Sequence, residues 1–73
     1  MTYEHDEEMP FHRVLVKNDS RVIGIIRRNI RTGEYQYYDD MASLNFRIKE
    51  TRLERLKRRI EMMTAARKIK VAN

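Results

Sequence analysis

The sequence lacks several residues on which common small folds and sites depend. It has no cysteine and only two histidines, which excludes a disulfide framework and the common zinc sites. Its two glycines are too few for a glycine-rich loop that cradles phosphate. No apolar run approaches the roughly 18 residues of a membrane span, and the acidic N-terminus is unlike a signal peptide. We therefore expect a soluble protein of the cytoplasm.

The chain is long enough for one small domain, residues 1–73, and for no second domain. A chain of this length buries only about 60% of the surface that its unfolded form exposes, so its stability is expected to be marginal. Hydrophobic residues make up 41% of the sequence and charged residues 37%, which is compatible with a folded body that carries charged ends.

Charge is distributed unevenly along the chain, although the net charge is only +5. Residues 1–10 carry a net charge of −4, residues 11–44 carry +2 and residues 45–73 carry +7. We interpret residues 1–10 as a disordered acidic arm that ends near Pro10. The alternatives are that this arm folds back on the basic segment as a weak electrostatic mask, or that it binds a separate basic surface.

Residues 11–38 predict a three-stranded antiparallel meander, because runs rich in β-branched and aromatic residues alternate with turn formers. The predicted strands are Phe11–Val16, Arg21–Arg28 and Tyr35–Tyr38, with turns at Lys17–Ser20 and Arg31–Glu34. Gly33 supplies a left-handed turn position. Gly24, in the middle of a strand, indicates a bulge or a close crossing of another element.

The segment after Tyr38 has two interpretations. In one, a long helix starts at Asp39 or Asp40; in the other, Leu44–Lys49 forms a fourth strand, because its apolar and polar residues alternate. The capping box Thr51–Glu54 favours the second, with a helix from Arg52 to about Lys70. We predict an α+β fold: a small antiparallel sheet of three to four strands within residues 11–49, then a basic C-terminal helix and tail within 50–73, after a disordered acidic N-terminal arm.

The predicted helix has a narrow apolar stripe and a strongly basic remainder. The stripe consists of Leu53, Leu56, Ile60 and Met63. The basic residues are Arg52, Arg55, Lys57, Arg58 and Arg59. One interpretation packs the stripe on the sheet and leaves the charges solvated. Because so many close cations repel one another unless anions are near, these five are also our candidates to face nucleic acid.

A catalytic site is not predicted, because no set of convergent groups is present. Asp39 and Asp40 are adjacent and point apart in extended structure, so they do not form an acid–base pair. His5 and His12, without cysteine, are a poor metal site. We expect a protein that is not an enzyme and has no metal, cofactor or small-molecule substrate.

The second hairpin combines arginine with tyrosine, a pairing that occurs both where proteins bind phosphate and bases and where they bind other proteins. The candidates for a partner-binding surface are Arg27, Arg28, Arg31, Tyr35 and Tyr37. The alternative is that one or two tyrosines, Tyr35 or Tyr37, pack under the helix. The sequence matches no aromatic RNA-binding motif, helix-turn-helix or zinc finger.

Five features of the chain form a combined pattern. They are the acidic lead Met1–Met9, the strands Phe11–Val16 and Arg21–Arg28, the turn Arg31–Glu34 and the helix Arg52–Lys70. This pattern resembles the small host-RNA-polymerase-binding transcription regulator of a lytic Xanthomonas phage, and the resemblance covers the whole chain. It assigns no individual residue, so the candidate residues above depend on their chemistry alone.

The resemblance implies a protein of the host bacterial cytoplasm that binds the N-terminal region of the largest RNA polymerase subunit, near the RNA exit channel. It implies inhibition of initiation by disturbing sigma-factor engagement, and antitermination aided by a host elongation factor, close to nascent RNA. A basic nucleic-acid-binding protein without polymerase contact is the second class of function. A membrane-surface protein is the third, which the acidic arm disfavours because anionic lipid repels it.

Overall fold

The computed structural model describes residues 1–6, 13–39 and 44–72, with side chains for all of these except residues 6 and 67–72. Within these ranges five strands form one antiparallel sheet in the order β1-β2-β3-β4-β5, and one helix follows. The elements are β1 (Thr2–Asp6), β2 (Arg13–Asn18), β3 (Arg21–Arg28), β4 (Tyr35–Tyr38), β5 (Ile48–Glu50) and α1 (Leu53–Ala72). The α+β class, the antiparallel meander and the C-terminal helix are confirmed, with more strands than the three to four predicted.

The prediction of a disordered acidic arm is wrong for its first half, which forms the edge strand β1. This strand pairs with β2 in a register that places Asp6 opposite Arg13. The carboxylate of Glu4 lies 2.6 Å from Nζ of Lys17. Acidic residues thus lie beside the basic residues of β2, which reduces the cost of adding them to the sheet. Residues 7–10 of the predicted arm lie outside the described residues.

Both predicted hairpin turns are confirmed. Asp19 and Ser20 have φ values of 53° and 65°, the left-handed conformations of a type I′ turn, which matches the twist of the strands that it joins. In the next hairpin, Gly33 has a φ of 75°, a conformation that costs glycine little. The turns fix which residues of β2, β3 and β4 lie opposite one another.

The sequence predicted either a β-bulge or a close crossing of another element at Gly24. Two consecutive residues of β2 lie opposite Gly24 and Val22, which leaves Ile23 as the extra residue of a β-bulge. A Cβ atom built on Gly24 would lie 2.5 Å from the carbonyl oxygen of Tyr38. The bulge and the close approach of β4 are therefore both present.

The helix starts late, as preferred from the capping box, and the alternative start at Asp39 or Asp40 is wrong. The N–H of Leu56 donates to the carbonyl oxygen of Arg52 at 3.1 Å, so Arg52 rather than Thr51 provides the first intrahelical acceptor. The predicted fourth strand is present only as β5, which is shorter than the alternation suggested. Leu44, the first residue of that alternation, is 94% exposed.

Helix α1 packs on one face of the sheet and forms the core there, which confirms the packing of the apolar stripe. Leu56 and Ile60 are fully buried, and Leu53 and Met63 are partly buried at the same interface. The buried residues that the sheet contributes are Val14, Val16, Ile26 and Tyr37. We call this the covered face. On the opposite face, the open face, no described helix or strand packs, although Ile25 on that face is only 1% exposed.

Candidate functional site

Strand alternation separates the five hairpin residues that the sequence grouped as a partner-binding surface. Tyr37 lies on the covered face, is only 3% exposed, and its hydroxyl donates to the carbonyl oxygen of Ile23 at 3.4 Å. The alternative that a tyrosine packs under the helix is therefore the correct one for this residue. Tyr37 belongs to the core, and a partner at the surface would not reach it.

Arg28 and Tyr35 stay together at the edge of the covered face. They are direct register partners on β3 and β4, and the guanidinium carbon of Arg28 lies 5.5 Å from the centre of the Tyr35 ring. Arg31 is exposed at the tip of the hairpin, where its N–H donates to Oδ1 of Asn29 at 2.9 Å. We call Arg28, Arg31 and Tyr35 the hairpin surface; arginine and tyrosine of this kind are common anchors in protein interfaces.

Arg27 lies on the other side of the sheet, because it alternates with the buried Ile26. Its guanidinium carbon is 5.4 Å from the centre of the Tyr38 ring, a geometry typical of a cation–π contact. The hydroxyl of Tyr38 donates to Oε1 of Gln36 at 3.2 Å. Tyr38 is not one of the five residues predicted from the sequence, and the structure places it on the open face.

Basic residues from three strands lie in one row across the open face. The register pairs Arg13 with Arg27, Arg27 with Gln36, and Gln36 with Lys49. Nζ of Lys49 lies 5.8 Å from the centre of the Phe46 ring, which is 41% exposed. Sequence reasoning missed this row, because the residues are far apart in the chain and only the register brings them together.

The outer side of α1 carries three of the predicted nucleic-acid-facing residues, Arg52, Arg55 and Arg58. All three are exposed, and together with Glu54 they line a shallow, open depression. Among the described residues, none of the three arginines forms an ion pair with a carboxylate. We call these three residues the helix arginine surface.

The other two predicted residues of the helix, Lys57 and Arg59, make contacts within the fold. Nη1 of Arg59 lies 3.3 Å from the Glu50 carboxylate, and it also donates to the carbonyl oxygen of Lys49. Nζ of Lys57 lies 3.5 Å from the Glu54 carboxylate. These exposed pairs contribute about 0–1 kcal/mol each. Arg59 thus connects α1 to β5, whereas the pair of Lys57 lies within the helix, where Lys57 is partly buried.

Tyr3 connects β1 to α1, a contact that sequence reasoning missed. Its hydroxyl lies 3.0 Å from Oε1 of Glu61 and 3.2 Å from the carbonyl oxygen of Lys57. Nζ of Lys57 lies 4.8 Å from the centre of the Tyr3 ring. Burial and the neighbouring Glu61 carboxylate raise the pKa of the Tyr3 hydroxyl well above its ordinary value.

We expect this contact to make stability fall at alkaline pH. As pH rises above about 10, unfolded tyrosine loses its proton while folded Tyr3 keeps it, so the free energy of unfolding decreases. At neutral pH, Tyr3→Phe should cost about 0.5–1.5 kcal/mol for the lost hydrogen bond that the hydroxyl donates. Urea unfolding at pH 7 and at alkaline pH measures both effects. Equal alkaline loss in wild type and Tyr3→Phe would contradict the assignment.

Other chemistry-bearing residues have structural roles or lie outside the described part. A carboxylate oxygen of Asp39 lies 3.8 Å from Nε of Arg47, and His5 lies in β1. His12 and Asp40 are not among the described residues. Within the described ranges, no three His, Asp or Glu side chains are grouped so that they could hold a metal ion.

In the part of the chain that the structure describes, α1 is not apolar enough to span a bilayer. Comparison of the chain with protein-family models, with curated proteins and with solved structures gave no match.

Proposed function

We propose that this protein is a phage transcription regulator that binds bacterial RNA polymerase, inhibits initiation by disturbing sigma-factor engagement and promotes antitermination. The proposed contact is the N-terminal region of the largest subunit near the RNA exit channel, with a host elongation factor and nascent RNA close by, in the host cytoplasm. The resemblance noted above supports the identity of this partner. The exposed helix arginine surface is the structural observation that supports this proposal most directly.

Electrostatics explains why the helix arginine surface favours a polyanion nearby. Arg52, Arg55 and Arg58 have no described acidic partner, and their mutual repulsion is relieved when phosphates approach. The release of counterions from nucleic acid then adds a salt-dependent attraction. Stability of the fold does not account for these residues, because their side chains are exposed on the side of α1 away from the core.

The hairpin surface is the better candidate for protein contact. The ring of Tyr35 is partly buried against the core, so it is held in place before a partner binds, and the exposed guanidinium of Arg28 lies 5.5 Å from the ring centre. Little side-chain entropy is then lost on association. We thus propose that Arg28, Arg31 and Tyr35 contact the polymerase protein, and that the helix arginine surface contacts the nucleic acid bound to polymerase. Tyr37 is excluded by its burial.

Removal of three charges tests the helix arginine surface. We expect Arg52→Gln, Arg55→Gln and Arg58→Gln together to weaken binding to a purified polymerase elongation complex. The slope of log affinity against log salt should become shallower by about 2–3, since each phosphate contact contributes about 0.7–0.9. The matched control compares Arg55→Gln with Arg21→Gln, which removes an exposed arginine from β3. An unchanged slope in the triple variant would contradict the assignment.

The identity of the partner needs a separate measurement. A pull-down from nuclease-treated bacterial lysate should recover polymerase subunits, and purified protein should inhibit initiation and increase read-through of an intrinsic terminator in vitro. Loss of every partner after nuclease treatment would refute polymerase contact. That result would favour the second candidate, a basic protein that binds nucleic acid alone, for which the helix arginine surface is the specific observation.

A further inference from the structure

We propose that the open face of the sheet binds single-stranded nucleic acid, with phosphates on the Arg27–Lys49 row and bases on the aromatic side chains beside it. This goes beyond the proposed function, because it concerns a different surface from the helix arginine surface and does not require polymerase. The open face and the helix arginine surface would then bind different ligands, or different parts of one ligand.

The cations of the open face are spaced along a line that suits a polyanion. Arg13, Arg27 and Lys49 lie on β2, β3 and β5, and Gln36 on β4 completes the row. Strands are about 4.8 Å apart, so the row spans about 14 Å. A strand within a duplex rises about 3.4 Å per nucleotide, and a strand whose bases lie on protein rings is more extended, so the row can contact at most about four nucleotides.

Two aromatic rings lie next to this row. Tyr38 is half-buried beside Arg27, and Phe46 is exposed beside Lys49. Each ring thus lies next to a cation. Unpaired bases stack on the rings of tyrosine and phenylalanine, and they also stack on the guanidinium plane of arginine. The hydrogen bond from Tyr38 to Gln36 holds that ring in place.

The arrangement favours a single strand over the other polyanions. In a duplex the base faces are already stacked, so Tyr38 and Phe46 would add nothing to binding. An acidic protein segment would use the cations but leave the exposed Phe46 ring without a matching group. The combination of cations with accessible rings on one face is typical of proteins that bind single strands through backbone charge and base stacking.

Acidic residues lie beside the row at both ends, because Asp6 is the register partner of Arg13 and Glu34 contacts Lys49. An oxygen of Glu34 is 3.5 Å from Nζ of Lys49, and this half-exposed pair competes with an incoming phosphate. Glu34→Gln frees the lysine and removes a negative charge next to the row. If the open face binds a nucleic acid strand, this substitution should raise the affinity for the strand a few-fold. If Glu34 had only a structural role, its substitution would not raise this affinity.

The experiment is fluorescence anisotropy of 12-nucleotide uridine and deoxythymidine oligomers with the full chain, in the absence of polymerase. We expect Phe46→Leu and Arg27→Gln each to weaken binding at least about fivefold, and Glu34→Gln to strengthen it. The matched controls are Leu44→Ala, an exposed apolar residue near Phe46, and Arg21→Gln on the same strand as Arg27. Circular dichroism confirms that each variant folds.

Several results would overturn the inference. These are no measurable binding of either oligomer, equal losses in the variants and their controls, or weaker binding by Glu34→Gln. Competition by a duplex, by inorganic polyphosphate or by polyglutamate as strong as that by the oligomers would also overturn it, since those ligands offer no unpaired base. The uridine and deoxythymidine arms distinguish RNA from DNA as the source of the strand. Polymerase binding is measured separately, so its failure leaves this result unaffected.

Discussion

Replacement of Ile60 by alanine is expected to lower the free energy of unfolding by about 2–5 kcal/mol. The side chain is fully buried between α1 and the sheet, and the buried side chains of β2, β3 and β4 that surround the core are held by strand pairing, which limits how far the cavity can collapse. A domain of 73 residues commonly has about 4–11 kcal/mol of stability in total. The variant should therefore lose a large share of its stability, measured as a lower midpoint of urea unfolding by circular dichroism.

Met62→Ala is the matched control for Ile60→Ala. Met62 is two residues further along the same helix and is 67% exposed, so its removal leaves no cavity. Its effect should stay within about 0.5 kcal/mol, as for most surface substitutions. If both variants lose the same amount of stability, α1 does not pack on the sheet through the side that carries Ile60.

The position of α1 could be predicted because its signals are local. Leu53, Leu56 and Ile60 repeat at helical spacing within a few residues of one another, and Thr51 with Glu54 marks a start. Such patterns require no knowledge of the rest of the chain. The helix starts one residue later than the capping box predicts, and differences of this size are common at helix ends.

Strand β1 could not be predicted in the same way, because its stabilising contacts are distant in sequence. The segment is short and acidic, which by itself is typical of a disordered tail. What holds it is the pairing of Glu4 with Lys17 and the contact of Tyr3 with Lys57 and Glu61. Within Thr2–Asp6 only Tyr3 is aromatic, so no alternation of apolar and polar residues marks a strand there.

The candidate surfaces show the same division between local and distant information. The sequence places arginine and tyrosine together in one hairpin, but it does not say which face the helix covers. That single fact assigns Tyr37 to the core and Tyr38 to the open face, although the two residues are adjacent. The Arg27–Lys49 row depends in addition on the register of β3, β4 and β5, which no short motif encodes.

Gly24→Ala is expected to be strongly destabilising, by about 1–3 kcal/mol or more, although it adds only one methyl group. That group would lie 2.5 Å from the carbonyl oxygen of Tyr38 and 2.6 Å from a ring carbon of Tyr37. The first atom is backbone in a paired strand, and the second belongs to a buried ring, so neither moves without disturbing the core. Strands β3 and β4 would have to separate, which weakens the pairs that align the open face.

Gly33→Ala provides the comparison, because the two glycines are required for different reasons. At Gly33 a Cβ atom has space, with its nearest neighbour 3.9 Å away, and the cost arises only from the left-handed φ of 75°. That conformation costs about 1–2 kcal/mol for a residue with a side chain. Urea unfolding of both variants, with amide chemical shifts of Tyr37 and Tyr38 as a local measure, separates the two causes. Gly24→Ala should shift both tyrosine amides and Gly33→Ala neither; the reverse pattern would show that β4 does not approach β3 closely at Gly24.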